Sequence, residues 1–233
     1  MHTITHMKQI SDILFIVQAR LNSERVPQKM IRPFANSNLF EIAIKKLLAS
    51  KEIPKENIYL SVNEPELKDI GKKYGLNIYD RSEESANNDN SLQKIYEWHD
   101  KLPFKYVIKL NACSPLLKTE TIDEFFKTFL NQEEENLFGV IGQKDYFWDN
   151  KGKLITLWPQ GQTIMNTKAV EETYKAAHVL YASRLDLIAQ NRFMGDFQKE
   201  GGIKLFPMDE LECFDIDYEW QFKIAELIYK SNI

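Results

Sequence analysis

Cysteine is scarce in this sequence, where Cys113 and Cys213 are the only two thiols among 233 residues. Two thiols are too few for a disulfide framework, so we expect a reducing compartment, with the cytoplasm as the simplest one. No apolar run approaches the roughly 20 residues that a membrane-spanning helix needs. The first residues lack the apolar centre of a signal peptide, and we predict an N-terminal tail over residues 1–12. The composition therefore argues against a secreted disulfide scaffold and against a membrane partner.

An excess of positive charge is also missing, since the formal net charge is −4. A general nucleic-acid binder would carry a basic footprint, so nucleic acid is not an expected partner. Low-complexity segments are absent, and aromatic residues make up 12% of the chain, which argues against disorder. We find no internal repeat and no linker rich in Gly, Pro or Ser. The chain is therefore predicted to form a single domain over residues 13–233.

Short apolar runs alternate with amphipathic stretches along the chain. Residues 13–17 predict a buried strand, and residues 39–48 have apolar side chains at helical spacing. The order strand, helix, strand, helix, strand over residues 13–79 is typical of a parallel sheet with right-handed crossovers. We therefore predict an α/β fold with a mostly parallel sheet. Thr119 or Thr121 is expected to cap a helix that carries several phenylalanines.

The periodicity changes in the later part of the chain. Residues 146–176 show no dominant period, apart from two short strands predicted around a turn at residues 149–152. We interpret this segment as an insertion that serves as a lid over a crevice or as a dimer contact. Near the C-terminus, helical spacing places four apolar residues on one face of a final helix, namely Trp220, Ile224, Leu227 and Ile228.

Cations and hydrogen-bond donors follow the first predicted strand. Within ten residues the chain carries Arg20, Asn22, Ser23, Arg25 and Lys29. Ligands of open α/β sheets bind at the carboxyl ends of the strands, where helix N-termini add positive charge. This loop therefore indicates a phosphate-rich ligand. The alternative is a solvated basic loop, because the glycines that usually let a backbone wrap phosphates are absent.

Two carboxylates precede the final helix. Asp215 and Asp217 are one residue apart in an extended stretch, so both project from one face while Ile216 points into the core. Adjacent carboxylates repel each other unless a cation lies between them, and hard oxygen ligands suit Mg²⁺. We therefore predict a magnesium site. The alternative is that the aspartates only cap the helix, whose N-terminus favours negative charge.

These two motifs resemble those of a known family. The pattern Ala19-Arg20-x-x-Ser23-x-x-x-Pro27-x-Lys29 is similar to the N-terminal signature of the CMP-sugar synthetases, the acylneuraminate cytidylyltransferase family. The segment Phe214-Asp215-Ile216-Asp217 resembles the family's metal-binding segment. Further similar stretches occur at residues 62–84, 110–116 and 178–195, so that the resemblance covers about residues 13–229.

The resemblance implies a fold, a reaction and roles for named residues. The implied fold is a three-layer α/β/α nucleotide-diphospho-sugar transferase domain, usually a homodimer. The implied reaction couples CTP to an acidic sugar through attack of the sugar's anomeric hydroxyl on the α-phosphate, which releases pyrophosphate. Arg20, Ser23 and Lys29 would hold the phosphates, and Asp215 and Asp217 would bind Mg²⁺. The nucleotide pocket would also include Arg81, near the cytosine and ribose, and Asn111, Cys113 and Ser114.

The sequence departs from the family pattern at several positions. Glu24, Met30 and Leu117 stand where the family usually has lysine, asparagine and arginine, and Gln221 replaces an acidic residue. The segment that meets the sugar also differs, with Ala177-His178 in place of an Asn-Gly pair. An acidic sugar needs a cation for its carboxylate. The residues that could supply it are Lys168, Lys175 and His178.

Two rival functions remain open at this point. One is a nucleotidyltransferase of the same fold with another acceptor or nucleotide, such as the spore-coat polysaccharide type, whose Gln-Ala-Arg loop resembles Gln18-Ala19-Arg20. The other is a non-catalytic homologue, motivated by Glu24 and Met30. Covalent chemistry at Cys113 is disfavoured because no oriented Cys-His arrangement is visible. His2 and His6 resemble a metal site only by their spacing.

Overall fold

The computed structural model describes residues 8–231, in which seven strands form one sheet with helices on both faces. His2 and His6 lie outside the described residues. The strands are β1 (Ile13–Gln18), β2 (Ile58–Val62), β3 (Asn77–Asp80), β4 (Tyr106–Leu110), β5 (Asn136–Gln143), β6 (Thr173–Arg184) and β7 (Leu205–Pro207). The α-helices are α1 (Leu39–Ala49), α2 (Pro65–Lys73), α3 (Glu83–Ala86), α4 (Leu92–Ile95), α5 (Thr119–Asn131), α6 (Asp186–Ala189) and α7 (Glu219–Lys230).

The order of strands across the sheet is β3-β2-β1-β4-β6-β5-β7. All neighbouring strands are parallel except at β6, which runs antiparallel to β4 and to β5. One face of the sheet packs against α1, α2, α5 and α7, and the other against α4, α6 and residues 97–100. This arrangement confirms the predicted three-layer α/β/α fold with a mostly parallel sheet.

The strand β1 lies near the centre of the sheet, between β2 and β4. All five residues of its apolar run, 13–17, are fully buried. A strand covered on both faces needs apolar side chains on both, which is why this run is continuous rather than alternating. The carboxyl ends of β1 and β4 therefore deliver their loops to the same edge of the sheet.

The ends of two helices illustrate local capping. Asn38 caps α1, since its side-chain oxygen accepts a hydrogen bond from the backbone N–H of Glu41 at 2.8 Å. The prediction that Thr119 or Thr121 caps α5 is wrong. The cap position belongs to Lys118, and Thr119 is the first helical residue. The Thr119 hydroxyl instead donates to the carbonyl of Lys46, which links α5 to α1.

The final helix, α7, does not pack against the core through the predicted face that carries Trp220 and Leu227. A different face of the helix is buried. Phe222 and Ala225 are buried, whereas Trp220 is 56% exposed and Leu227 is 68% exposed. The Phe222 ring meets Phe34 edge-on, with centroids 5.3 Å apart. The helix carries two apolar stripes, and the loop that follows β1 packs against the stripe that contains Phe222.

The segment between β5 and β6 contains little regular structure. Instead of two strands it has a single antiparallel bridge between Trp148 and Leu154, closed by a turn in which the N–H of Gly152 donates to Asp149. Residues 173–176, predicted to belong to the insertion, are the first residues of β6. Within residues 8–231, no helix is long and apolar enough to cross a membrane.

Candidate active site

Two polar cavities lie side by side at the carboxyl edge of the sheet. The first, here called the loop cavity, has a volume of about 440 Å³ and is lined mainly by residues 18–30. The second, here called the aspartate cavity, has a volume of about 320 Å³ and is lined by residues 175–178, 213–215 and 217, among others. The two cavities meet at an ion pair between Arg25 Nη2 and Asp217 Oδ1, which are 2.7 Å apart.

The cations of the loop cavity are held by oxygen atoms of neighbouring segments. Lys29 Nζ donates to the carbonyl of Ile216 at 2.6 Å and lies 4.0 Å from the Asp217 carboxylate. Arg20 donates to the carbonyl of Ala86 at 2.8 Å and lies 3.4 Å from Asp89. These contacts direct positive charge into one cavity, as the sequence predicts. Asn22, Ser23 and Arg25 line the same cavity.

Arg81 is placed differently from the position that the family resemblance implies. Its guanidinium is buried and donates to the hydroxyl of Ser85 at 2.9 Å and to the carbonyl of Ser85 at 2.6 Å. Burial, and then the charge of Arg20, lowers the pKa of Arg81. Arg81 lines neither cavity. It anchors α3, whose last residue, Ala86, holds Arg20.

The loop after β4 joins the two cavities. The side-chain oxygen of Asn111 accepts a hydrogen bond from the backbone N–H of Cys113 at 3.0 Å, and its amide donates to the carbonyl of His178 at 2.9 Å. Cys113 lines the loop cavity, and burial raises the pKa of its thiol. A protonated thiol is a weak nucleophile, which agrees with a pocket-lining role. Ser114 is buried and lines neither cavity.

The aspartate pair has the predicted alternation. Ile216 is fully buried, and its N–H donates to the carbonyl of Cys113 at 3.0 Å. Burial, and then the neighbouring charge of Asp217, raises the pKa of Asp215. Such crowding of negative charge favours a bound cation. Among residues 8–231 there is no cluster of three or more His, Cys, Asp or Glu side chains that could hold a metal ion.

The alternative role of the aspartates as helix caps is wrong. Tyr218 occupies the cap position of α7, and the side chain of Gln221 accepts hydrogen bonds from the backbone N–H groups of Asp217 and Tyr218, at 2.7 and 2.8 Å. The Asp217 carboxylate instead faces Arg25 and Lys29. Gln221 therefore orients the backbone of the aspartate segment. This role accounts for an amide side chain at position 221.

The three residues proposed to meet the sugar separate into two groups. Lys175 and His178 line the aspartate cavity together with Asp215. Lys168 is exposed in the turn Thr167–Ala169 and lines neither this cavity nor the loop cavity. The structure also adds Tyr181, whose hydroxyl lies 3.1 Å from Nδ1 of His178. Strand alternation alone would have placed these two side chains on opposite faces.

Comparison with known proteins agrees with this geometry. The profile of a family described as cytidylyltransferase matches residues 14–231. The chain belongs to this cytidylyltransferase family. Its relatives include "Post-translational flagellin modification protein B" of Campylobacter coli, which is 27% identical over 96% of this chain and 97% of the relative. A pseudaminic acid cytidylyltransferase of Campylobacter jejuni is 23% identical over 94% of this chain and 97% of the relative.

A solved structure supports the same fold. The cytidylyltransferase chain aligns with a CMP:2-keto-3-deoxy-manno-octonic acid synthetase, solved in complex with CTP, at a TM-score of 0.66. The alignment covers 95% of this chain and all of the other, with 10% sequence identity. At this identity the likeness shows the fold alone. Together with the family match, it confirms the resemblance found in the sequence.

The departures from the family pattern occupy distinct places in this cytidylyltransferase. Glu24 and Met30 both line the loop cavity, where Glu24 is exposed and Met30 is buried. Glu24 thus brings a negative charge to the cavity that Arg20, Arg25 and Lys29 make positive. Leu117 is buried and lines neither cavity, so that its apolar character belongs to the core.

Proposed function

We propose that the protein couples CTP to an acidic sugar, giving a CMP-sugar and pyrophosphate, as a homodimer in the cytoplasm. The observation that carries the proposal is the contact of Arg25 and Lys29 with Asp217, at 2.7 and 4.0 Å. It joins a cationic cavity suited to phosphates with an acidic cavity suited to a metal ion. Transfer between phosphate and sugar requires these two environments in contact, because the reacting oxygen must reach the α-phosphate.

The chain's own residues have separate tasks in this reaction. Arg20, Arg25 and Lys29 neutralise the triphosphate, whose charge grows on the pyrophosphate side as the bond to the α-phosphate breaks. The anomeric hydroxyl oxygen of the sugar forms the new bond to the α-phosphorus and releases its proton. Lys175 and His178 face the space where the sugar would lie. Asn111 contacts His178 in the aspartate cavity and accepts a hydrogen bond from Cys113, which lines the loop cavity, so it ties the two cavities together.

We propose that Asp215 and Asp217 hold Mg²⁺. Mg²⁺ binds well to one or two carboxylates together with substrate phosphates. Burial and the neighbouring charge of Asp217 raise the pKa of Asp215, and a bound cation would offset both effects. When bound, the ion would polarise phosphate oxygens and stabilise charge in the transition state. Because the pair supplies two carboxylates, the remaining ligands would be phosphate and water.

The homodimer is proposed from the segment between β5 and β6. Several of its large apolar side chains are exposed, among them Trp148 at 51%, Ile155 at 68% and Leu157 at 78%. An exposed apolar patch of this kind is typical of an interaction surface. Light scattering after size exclusion tests this part: a mass of two chains is expected, and replacing Ile155 and Leu157 by Ser should give single chains. A single-chain mass for the unchanged protein would contradict it.

Released pyrophosphate measures the reaction directly. Purified protein is mixed with Mg²⁺ and CTP, UTP, ATP or GTP, against pseudaminic acid and 2-keto-3-deoxy-manno-octonic acid, with neutral hexoses as controls. Release with CTP and one acid is the expected result. Release with another nucleotide would favour the rival transferase of the same fold. No release, together with no CTP binding in calorimetry, would favour the non-catalytic homologue.

A further inference from the structure

His178 has a backbone conformation that is unusual for its position. Its φ is +58°, in the left-handed region that the Cβ of most residues disfavours. Four other non-glycine residues of the described chain share this region, and all four lie in turns. Within residues 8–231, His178 is thus the one such residue inside a strand. Backbone strain of this kind persists only where neighbouring groups fix the conformation. Contacts of His178 with other segments must therefore hold this backbone conformation.

An irregularity in the sheet holds His178 in place. Between two paired positions, β5 advances two residues from Phe138 to Val140, while β6 advances five from Ala176 to Tyr181. The three extra residues of β6 form an enlarged, irregular bulge around His178. Asn111 fastens this bulge through its side-chain amide to the carbonyl of His178 and through its N–H to the carbonyl of Val179, both at 2.9 Å. Bulges commonly redirect a side chain beside an active site.

The bulge turns the His178 ring toward the aspartate cavity and against Tyr181. Nδ1 of His178 lies 3.1 Å from the Tyr181 hydroxyl. Burial raises the pKa of Tyr181, so its hydroxyl keeps its proton. That hydroxyl has no other hydrogen-bond partner within the described part of the chain, so donation to Nδ1 is the arrangement in which its proton is used. In a neutral imidazole the other nitrogen, Nε2, then carries the hydrogen and acts as a donor.

Lys175 brings a positive charge to the cavity that His178 lines. It is exposed, lines the same cavity and forms no salt bridge with any residue between 8 and 231. The cavity also contains the carboxylates of Glu210, Asp215 and Asp217, which repel an anion placed beside them. A substrate carboxylate that does not contact the proposed metal ion is therefore favoured next to Lys175 and His178 rather than next to these carboxylates.

We propose that Lys175 and His178 together bind the carboxylate of the acceptor sugar, with His178 as a specificity-determining residue and Tyr181 as the positioning residue that orients its ring. This inference rests on the proposed function and deepens it. Lys175 supplies charge and His178 supplies a directed N–H, a combination that a neutral sugar cannot use. Both side chains line the aspartate cavity, His178 from within the bulge and Lys175 from the regular part of β6 before it.

The test is His178→Gly, which removes the ring but keeps a residue that adopts the positive φ freely. Asn191→Gly is the matched control, because Asn191 is exposed in a turn with φ +56°. We expect His178→Gly to raise the KM for the acidic sugar about tenfold, with kcat and the CTP Kd within about twofold of the unchanged protein. Its Tm should stay close to that of the unchanged protein, and Asn191→Gly should leave all these quantities unaltered.

Tyr181→Phe tests the orienting role separately. The ring of His178 remains but loses the donor that selects its tautomer, so we expect a smaller rise in sugar KM, of about threefold, and an unchanged CTP Kd. An unchanged KM in His178→Gly would overturn the inference, and an unchanged KM in Tyr181→Phe would remove Tyr181 from it. The absence of turnover with every acid in the unchanged protein would instead overturn the proposed function and this inference with it.

Discussion

The two cavities differ in how their polar side chains are held. In the loop cavity, Arg20, Arg25 and Lys29 each contact an oxygen atom of the protein within 2.8 Å. In the aspartate cavity, Lys175 has no ion-pair partner among residues 8–231, and His178 depends on a strained bulge. If the loop cavity binds the nucleotide as proposed, that side is preorganised, whereas the proposed acceptor side has a lysine without an ion-pair partner among residues 8–231.

The largest effect is expected where the two cavities meet. Asp217→Asn should lower kcat about 1,000-fold or more, because it removes a proposed metal ligand and the partner of Arg25. Initial rates of pyrophosphate release measure the loss, and thermal unfolding checks that the fold persists. Glu219→Gln, which affects only the neighbouring ion pair with Arg32, is the control. Near-normal turnover in Asp217→Asn would refute the metal assignment.

The next effect concerns the nucleotide side alone. Lys29→Ala should raise the CTP Kd about 10- to 100-fold, since a charge-assisted hydrogen bond to phosphate is lost and Ile216 loses its donor. Calorimetry with CTP and Mg²⁺ measures the change. Lys45→Ala, on the exposed side of α1, is the matched control. Equal CTP affinity in the two variants would take Lys29 out of the nucleotide site.

A smaller effect should appear on the acceptor side. Lys175→Gln should raise the KM for the acidic sugar about tenfold and leave the CTP Kd unchanged, because the free cation of the aspartate cavity is removed. Lys168→Gln removes the same charge from an exposed turn outside both cavities and should change neither quantity. If the two variants behaved alike, the distinction between the cavities would fail at this residue.

The smallest effect is a pH dependence of stability at Asp215. The pKa of Asp215 is higher in the folded protein than in the unfolded chain, so ionisation of Asp215 destabilises the folded state. This penalty is complete above the folded pKa and disappears as the pH falls from the folded pKa to the unfolded pKa. Asp215→Asn should therefore have a higher Tm at pH 7, by about 2–4 °C for each kcal/mol relieved. The gain should shrink toward pH 4. A gain that is equal at both pH values would contradict this origin.

Much of the fold and of the loop cavity follows from local patterns. The apolar run of β1 can be recognised because a strand buried on both faces needs no alternation. The cations after it can be recognised because strand ends and their loops meet at one edge. The spacing of Asp215 and Asp217 likewise predicts a shared direction, and Ile216 is buried as expected.

Other features depend on contacts between distant segments. Arg81 has the residue type of a nucleotide ligand, yet it is buried against Ser85 and supports Arg20 indirectly. Lys168 and Lys175 are equivalent in sequence terms, but of the two only Lys175 lines the aspartate cavity. Nothing in the local pattern distinguishes these cases, because burial and neighbours are set by the packing of other elements.

The sequence by itself determined the α/β class, the family and the chemical character of both motifs, since periodicity and charge act over a few residues. The tertiary structure alone decided which face of α7 is buried, where the β6 bulge lies and which of the two lysines lines the aspartate cavity. A helix with two apolar stripes can bury either stripe, and a strand with extra residues can place its bulge at several positions, at similar energy. The contacts of Phe222 with Phe34, and of Asn111 with His178, select one of them.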